Sequence, residues 1–179
     1  MRFPLRPVDY MDPREMDYGM IEPGIRELVK QMNEVPFVET VSSCEGHLGD
    51  KIFKDASPDP GFTFISGGHI AFDLKPGHPD SDKFMREIGE LAGSRSFSSL
   101  KDVEFGMETL HVVGFDTSPT GGHVSNLVRK QMIEDMDSNE VRLRKSLQVE
   151  RVAAAERKEE YQKFWAEMSG IAKKYSKVR

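Results

Sequence analysis

Nine consecutive residues bring together more reactive groups than any other part of this chain: Ser42-Ser43-Cys44-Glu45-Gly46-His47-Leu48-Gly49-Asp50. We call this segment, residues 42–50, the motif loop. It contains the one cysteine among 179 residues, together with two hydroxyls, two carboxylates, an imidazole and two glycines. If the protein has a functional site, we expect it here.

Thiol chemistry is the first possibility that these residue types raise. Cys44 with His47 could form an activated thiol–imidazole pair, and Glu45 could orient the imidazole. The alternative is that Cys44 is a small, buried residue at the end of a strand, a common role for a cysteine outside disulfides. The residues favour this second interpretation over a nucleophile.

Metal binding is the second possibility. Cys44 and His47 are three residues apart, and His69, His111 or His123 could complete a ligand set. A soft thiolate with imidazoles is typical of zinc, which would make the protein a zinc-assisted hydrolase. The alternative takes His69 and His111 as ordinary strand residues and His123 as the start of a helix.

Ligand binding by the backbone is the third possibility. Ser42, Ser43, Gly46 and Gly49 offer hydroxyls and close approach to the main chain, and amides in such a turn form sites for anions or ribose. Neither the Gly-x-Gly-x-x-Gly pattern nor the Walker A pattern is present in the sequence. Ordinary turn geometry would also explain the glycines.

A second short segment could assist the motif loop. Arg95 and Ser96 follow the end of a predicted helix, and a guanidinium at that position could clamp a carboxylate or phosphate. The alternative is a solvated surface arginine.

The elements that must position the motif loop begin with residues 1–22, an irregular arm without a steady period. Pro23 suits the first turn of a helix, and Pro36 ends that helix. Its apolar positions are spaced to share one face: Ile25, Leu28, Val29 and Met32. Residues 37–41 are β-branched and aromatic, which predicts a strand. The motif loop therefore begins at the carboxyl end of a strand.

Two further strands are predicted at residues 62–66 and 69–74, with Gly67-Gly68 between them as a hairpin turn. Asp80 could cap a helix that ends at Gly93, and another strand covers residues 103–115. From Val124 onward the sequence favours helix. An apolar heptad supports this: Leu147, Ala154, Tyr161, Met168 and Tyr175.

The predicted fold class is thus α/β (α+β), with a small mixed β-sheet flanked by helices and a long C-terminal helix. The predicted organisation is an irregular arm at 1–22, an α/β domain at 23–138 and a long charged helix at 139–179. Tyr161, Phe164, Trp165 and Met168 form an apolar stripe on that helix, which suggests a homodimer.

Charge and composition limit the classes of partner that we expect this protein to bind. Residues 139–179 carry 11 Lys and Arg against 6 Asp and Glu, whereas residues 1–138 carry 14 against 24. An acidic body does not attract a phosphate backbone, so tRNA is disfavoured. The single cysteine excludes an intrachain disulfide, and the sequence lacks an apolar run of membrane-spanning length. We expect a cytoplasmic protein without membrane partners.

The order of these elements resembles a known family. A helix and strand that lead into Ser42-Ser43-Cys44-Glu45-Gly46-His47 look like the opening of the methyltransferases of the third step of tRNA wybutosine synthesis. The strand pair at 62–74, Gly93-Ser94-Arg95-Ser96 and the long C-terminal helix are similar to the elements that follow in that family. Where the family motif ends in Arg, this chain has His47.

The resemblance implies S-adenosylmethionine as cofactor and methylation of a ring nitrogen in a tricyclic guanine derivative beside a tRNA anticodon. Ser42, Ser43 and Gly46 would then contact a nucleotide-like ligand, beside Cys44 and Glu45. His47 would replace the family Arg, and Arg95 with Ser96 would hold an anionic group. A module that binds or sequesters a nucleotide without catalysis is the alternative, and the zinc-assisted hydrolase is the second alternative.

Overall fold

The computed structural model describes residues 17–49, 60–65, 67–105, 108–115, 128–137 and 140–176. A single 3-10 turn at Tyr18–Met20 precedes the larger elements. In chain order these are α1 (Pro23–Asn33), β1 (Val38–Cys44), β2 (Phe62–Ile65), β3 (His69–Leu74), α2 (Ser81–Gly93), β4 (Ser98–Phe105), β5 (Glu108–Phe115), β6 (Val128–Asp137), β7 (Glu140–Glu150) and α3 (Arg151–Ser176).

The main sheet has four strands in the order β1-β3-β5-β4, and a second sheet has the order β2-β7-β6. The α+β class with a long C-terminal helix is confirmed. The strand directions differ from the mixed sheet that we expected, because every described pairing is antiparallel. No βαβ crossover joins neighbouring parallel strands among the described residues, so no parallel pair arises.

The predicted hairpin at Gly67-Gly68 is wrong. β2 pairs with β7, whereas β3 pairs with β1 and β5, so the two strands around the glycines belong to different sheets. A Cβ atom at Gly68 would lie 2.7 Å from the carbonyl oxygen of Glu45 and 2.8 Å from that of Cys44. Glycine is required here for a close approach of two backbones, not for a tight turn.

The C-terminal helix begins later than predicted. Residues 128–137 and 140–150 form the antiparallel pair β6–β7, and α3 begins at Arg151. Apolar residues at 141, 143, 147 and 149 alternate with polar ones, which is the period of a strand rather than of a helix. Leu147, which we expected to begin the helical heptad, instead pairs with Ile65 of β2.

One hydrophobic core joins the main sheet to the three helices. The predicted face of α1 is buried. The same holds for Phe84, Ile88 and Ala92 of α2, and for Ala154, Tyr161, Met168 and Tyr175 of α3. The apolar stripe of α3 also lies in this core, where the ring of Tyr161 stacks on that of Phe115 at 3.9 Å between centroids. The stripe packs within its own chain, so it does not support the homodimer.

Among the residues that the structure describes, we find no helix with the length and apolar character needed to cross a membrane.

Candidate functional site

The motif loop leaves the edge strand of the main sheet just after a β-bulge. Thr40 pairs with Phe72 and Ser42 pairs with Ala71, so Val41 is an extra residue in β1. A bulge of this kind bends its strand and redirects the side chains that follow. The last pair of the ladder joins Cys44 to His69, so the first three residues of the motif loop, Ser42–Cys44, belong to β1, and the chain leaves the sheet at Glu45.

Two hydrogen bonds connect the motif loop to the start of α1, and the carboxylate of a glutamate accepts in each. The backbone amide of Glu45 donates to Glu22 Oε2 at 2.7 Å, and the backbone amide of Gly24 donates to Glu45 Oε2. Gly24 and Glu45 are in such close contact that a Cβ atom at Gly24 would lie 2.4 Å from that carboxylate oxygen. The exchange satisfies an amide of the helix N-terminus that has no intrahelical partner.

The C-terminal helix and β2 hold the loop from other directions. Trp165 of α3 donates its indole N–H to the carbonyl oxygen of Glu45 at 3.2 Å. The amide of Gly49 donates to the carbonyl oxygen of Phe64 at 3.0 Å, and Leu48 forms a bridge with Ile65. The loop backbone is therefore fixed by contacts with residues far away in the sequence.

Three side chains that could bind a metal converge on one point of this loop. Cys44 Sγ lies 3.4 Å from His47 Nε2, and Glu22 Oε1 lies 3.0 Å from the same nitrogen. One potential ligand atom from each residue lies within 4.8 Å of the others. Sequence reasoning missed Glu22, which we had assigned to the irregular arm, since nothing local connects it to a cysteine 22 residues later.

Burial shifts the pKa of two groups here, Cys44 and His69, towards their neutral forms. Burial raises the pKa of the Cys44 thiol above its usual value, the Gly46 amide that donates to the sulphur opposes the rise, and the charge of Glu22 adds to it. Burial lowers the pKa of His69, against the opposite effect of Glu22. At neutral pH the thiol is protonated and His69 is uncharged.

This geometry does not form a thiol–imidazole–carboxylate triad. In a triad the carboxylate binds the ring nitrogen opposite the one that faces the nucleophile. Here Glu22 and Cys44 both lie against Nε2 of His47. The raised pKa of Cys44 also opposes thiolate formation. The thiol lies at the end of its strand, as the second interpretation of Cys44 expected, but it is half-buried rather than buried.

The other polar residues of the predicted ligand site lie at the end of β1 and in the turn that follows it. Ser42 is exposed, and its hydroxyl lies 3.1 Å from His69 Nε2. Ser43 and Gly46 are partly exposed, and Gly46 and Gly49 have φ angles of 90° and 154°. Ser42 and Ser43 near the end of β1 and Gly46 in the turn after it are therefore all at least partly accessible.

Arg95 is paired within the protein. Its Nη2 atom donates to Glu167 of α3 at 2.6 Å, and Nη1 donates to the hydroxyl of Ser94. Ser96 beside it is exposed. An anionic ligand at Arg95 would have to share the guanidinium with Glu167, and the proposed clamp stays a prediction.

The other histidines of the predicted zinc set are placed differently. His69 lies outside the converging trio and contacts Ser42 instead. His111 pairs through Nδ1 with Asp102 at 2.7 Å, on neighbouring strands β5 and β4. His123 lies outside the described residues.

Comparisons with known proteins add little to this picture. No family model matches the chain. No curated protein matches it either. Among solved structures, the PH1069 protein from Pyrococcus horikoshii is similar over 88% of this chain and 84% of its own, with 13% identity and a TM-score of 0.37. A likeness of that size carries no argument about fold or function.

Proposed function

We propose that the motif loop binds a nucleotide-like small molecule of the S-adenosylmethionine class, and that the protein is a methyltransferase related to those of tRNA wybutosine synthesis. The observation that carries the proposal is a loop that is partly exposed yet rigidly held. Its main chain is fixed by Glu22, Trp165 and Phe64, while Ser42 and Ser43 remain accessible. A site that is ordered before binding loses less entropy when the ligand arrives.

The motif supports the choice of ligand. The run Ser42–Gly46 is the part of the chain that most resembles the family, and it spans the end of β1 and the turn that follows it. Transfer of a methyl group from a sulfonium depends mainly on the alignment of donor and acceptor, so it needs no acid–base triad. The lack of triad geometry at Cys44 is therefore compatible with this reaction.

Two partners that the sequence suggested, tRNA and a second subunit, do not enter the proposal. Neither tRNA nor a second subunit is part of it, because the acidic body disfavours the first and the buried stripe of α3 does not support the second. A half-buried, reduced thiol at Cys44 suits a cytoplasmic protein, and we propose that location.

Calorimetry tests the proposal directly. We expect S-adenosylmethionine and S-adenosylhomocysteine to give saturable heat with the full chain, and the Ser42→Ala, Ser43→Ala double variant to lose most of it. The matched control is Ser99→Ala, a partly exposed serine on β4 at the opposite edge of the main sheet.

Each outcome of the calorimetry favours a different interpretation of the site. If neither sulfur-containing ligand gives heat, the methyltransferase proposal fails. Heat with adenine or cyclic nucleotides alone would favour the non-catalytic nucleotide-binding module. Equal loss of binding in the control would show that the serines act through stability rather than contact.

A further inference from the structure

We propose that Glu22, Cys44 and His47 together bind one divalent cation of the zinc class. The three side chains offer a carboxylate oxygen, a thiolate sulfur and an imidazole nitrogen, which is a donor set typical of zinc. The inference does not depend on the proposed small-molecule ligand, because it rests on these three side chains alone.

The separations of the donor atoms fit a tetrahedral ion. With zinc bonds of about 2.3 Å to sulfur and about 2.0–2.1 Å to nitrogen and oxygen, tetrahedral edges are about 3.5 Å for S···N and about 3.3 Å for N···O. The observed distances are 3.4 Å from Cys44 Sγ to His47 Nε2 and 3.0 Å from that nitrogen to Glu22 Oε1. These two separations lie within about 0.3 Å of the tetrahedral edges, and the third, between Cys44 and Glu22, lies within 4.8 Å.

Neighbouring groups already orient the ligands. The amide of Glu45 donates to Glu22 Oε2, which leaves Oε1 directed at His47. The amide of Gly46 donates to the sulfur of Cys44. Outer contacts of this type orient metal ligands and tune their basicity.

Each of the three ligands would bind the ion in a defined protonation state. When the ion binds, the thiol of Cys44 releases its proton to solvent and forms an S–metal bond. His47 binds through Nε2 as the tautomer that carries its proton on Nδ1. Glu22 binds as a carboxylate, so the two anionic ligands balance the charge of the ion.

The site is open on one side. The side chain of His47 is 47% exposed and that of Glu22 is 33% exposed. Three protein ligands with solvent access leave a fourth position for water or for a small molecule, which is the arrangement of catalytic rather than structural zinc sites.

The test uses the metal alone. Co²⁺ is titrated into the full, metal-stripped chain, and the thiolate-to-cobalt charge-transfer absorption is followed, with Zn²⁺ then added as competitor. We expect one ion per chain, displaced by Zn²⁺, and loss of the charge-transfer band in Cys44→Ser. Glu22→Gln should weaken binding by more than the about 10- to 100-fold typical of an outer contact, because it removes a direct ligand.

The matched control is Asp102→Asn, which also converts an exposed carboxylate beside a histidine to an amide. It should bind like the unchanged protein. If Cys44→Ser does not fold, the comparison of Glu22→Gln with Asp102→Asn decides the question. Absence of the charge-transfer band in the unchanged protein, or equal affinity in Glu22→Gln, would overturn the proposal.

Discussion

Replacing Gly68 by alanine tests how the motif loop is held against the main sheet. The new Cβ atom would lie 2.7 Å from the carbonyl oxygen of Glu45 and 2.8 Å from that of Cys44. Both neighbours are backbone atoms, so no change of rotamer relieves the contact. Gly68 is also held from the other side, because its carbonyl oxygen accepts from the amide of Phe115 at 2.9 Å. The loop must therefore move away from β3.

The magnitude follows from two opposing terms. Inserting a methyl group into a tightly packed place costs about 1–3 kcal/mol, whereas removing a glycine from the unfolded chain restores about 0.4–1 kcal/mol. The net loss in the free energy of unfolding for Gly68→Ala should be about 1–2 kcal/mol. With a urea slope of roughly 2 kcal/mol per molar, the midpoint falls by roughly half to one molar.

Urea unfolding followed by tryptophan fluorescence measures both the loss of stability and the displacement of the motif loop. Trp165 is the single tryptophan of the chain, and its indole donates to Glu45 in the displaced loop, so its native emission should shift as well. The control is Gly114→Ala, where a Cβ atom would lie 3.5 Å from the Gly68 oxygen, an ordinary contact. If Gly68→Ala unfolds at the same urea concentration as Gly114→Ala with an unchanged native spectrum, the reasoning is wrong.

Two further substitutions test the contacts of α3. Trp165→Phe keeps an aromatic ring but removes the indole donor to the Glu45 carbonyl and leaves space in the core, so unfolding followed by circular dichroism should show a loss of about 1–3 kcal/mol. At Glu87, hydrogen bonds from Lys174 and Tyr175 hold the pKa of the carboxyl below its ordinary value near 4.5. The stability that this charge contributes is present above that value and is lost as the pH falls through the lower pKa of the folded protein. Glu87→Gln should therefore unfold at lower urea than the unchanged protein at pH 7, and the gap should close in acid; a gap that persists there would contradict the assignment.

Local sequence signals predicted the elements that local physics determines. Pro23 begins α1 and the stripe from Ile25 to Met32 is buried, because proline preference and helical periodicity need no distant partner. The same holds for α2 up to Gly93. The strand that leads into the motif loop was predicted, but it ends at Cys44 rather than at Val41, so Ser42–Cys44 belong to β1.

The features that sequence reasoning missed depend on distant pairing. A Gly-Gly link has the composition of a hairpin turn. In the structure Gly68 instead allows the backbone of Glu45 to approach closely, which the sequence does not indicate. The strands β6 and β7 contain many residues that also suit helices, and their pairing decides between the two. Glu22 lies at the site because the N-terminus of α1 faces the motif loop. Sequence spacing cannot predict this contact.

The indole hydrogen bond that links α3 to the motif loop joins residues 120 positions apart. During synthesis on the ribosome, Ser42–Gly49 emerges long before Trp165, so the nascent loop lacks this tether until α3 has been translated and can fold back. Contacts of such long sequence separation form late, since the chain between them must be ordered first. A nascent chain that already contains Cys44 and His47 therefore acquires the full set of loop contacts only after α3 has been translated and has folded back onto the loop.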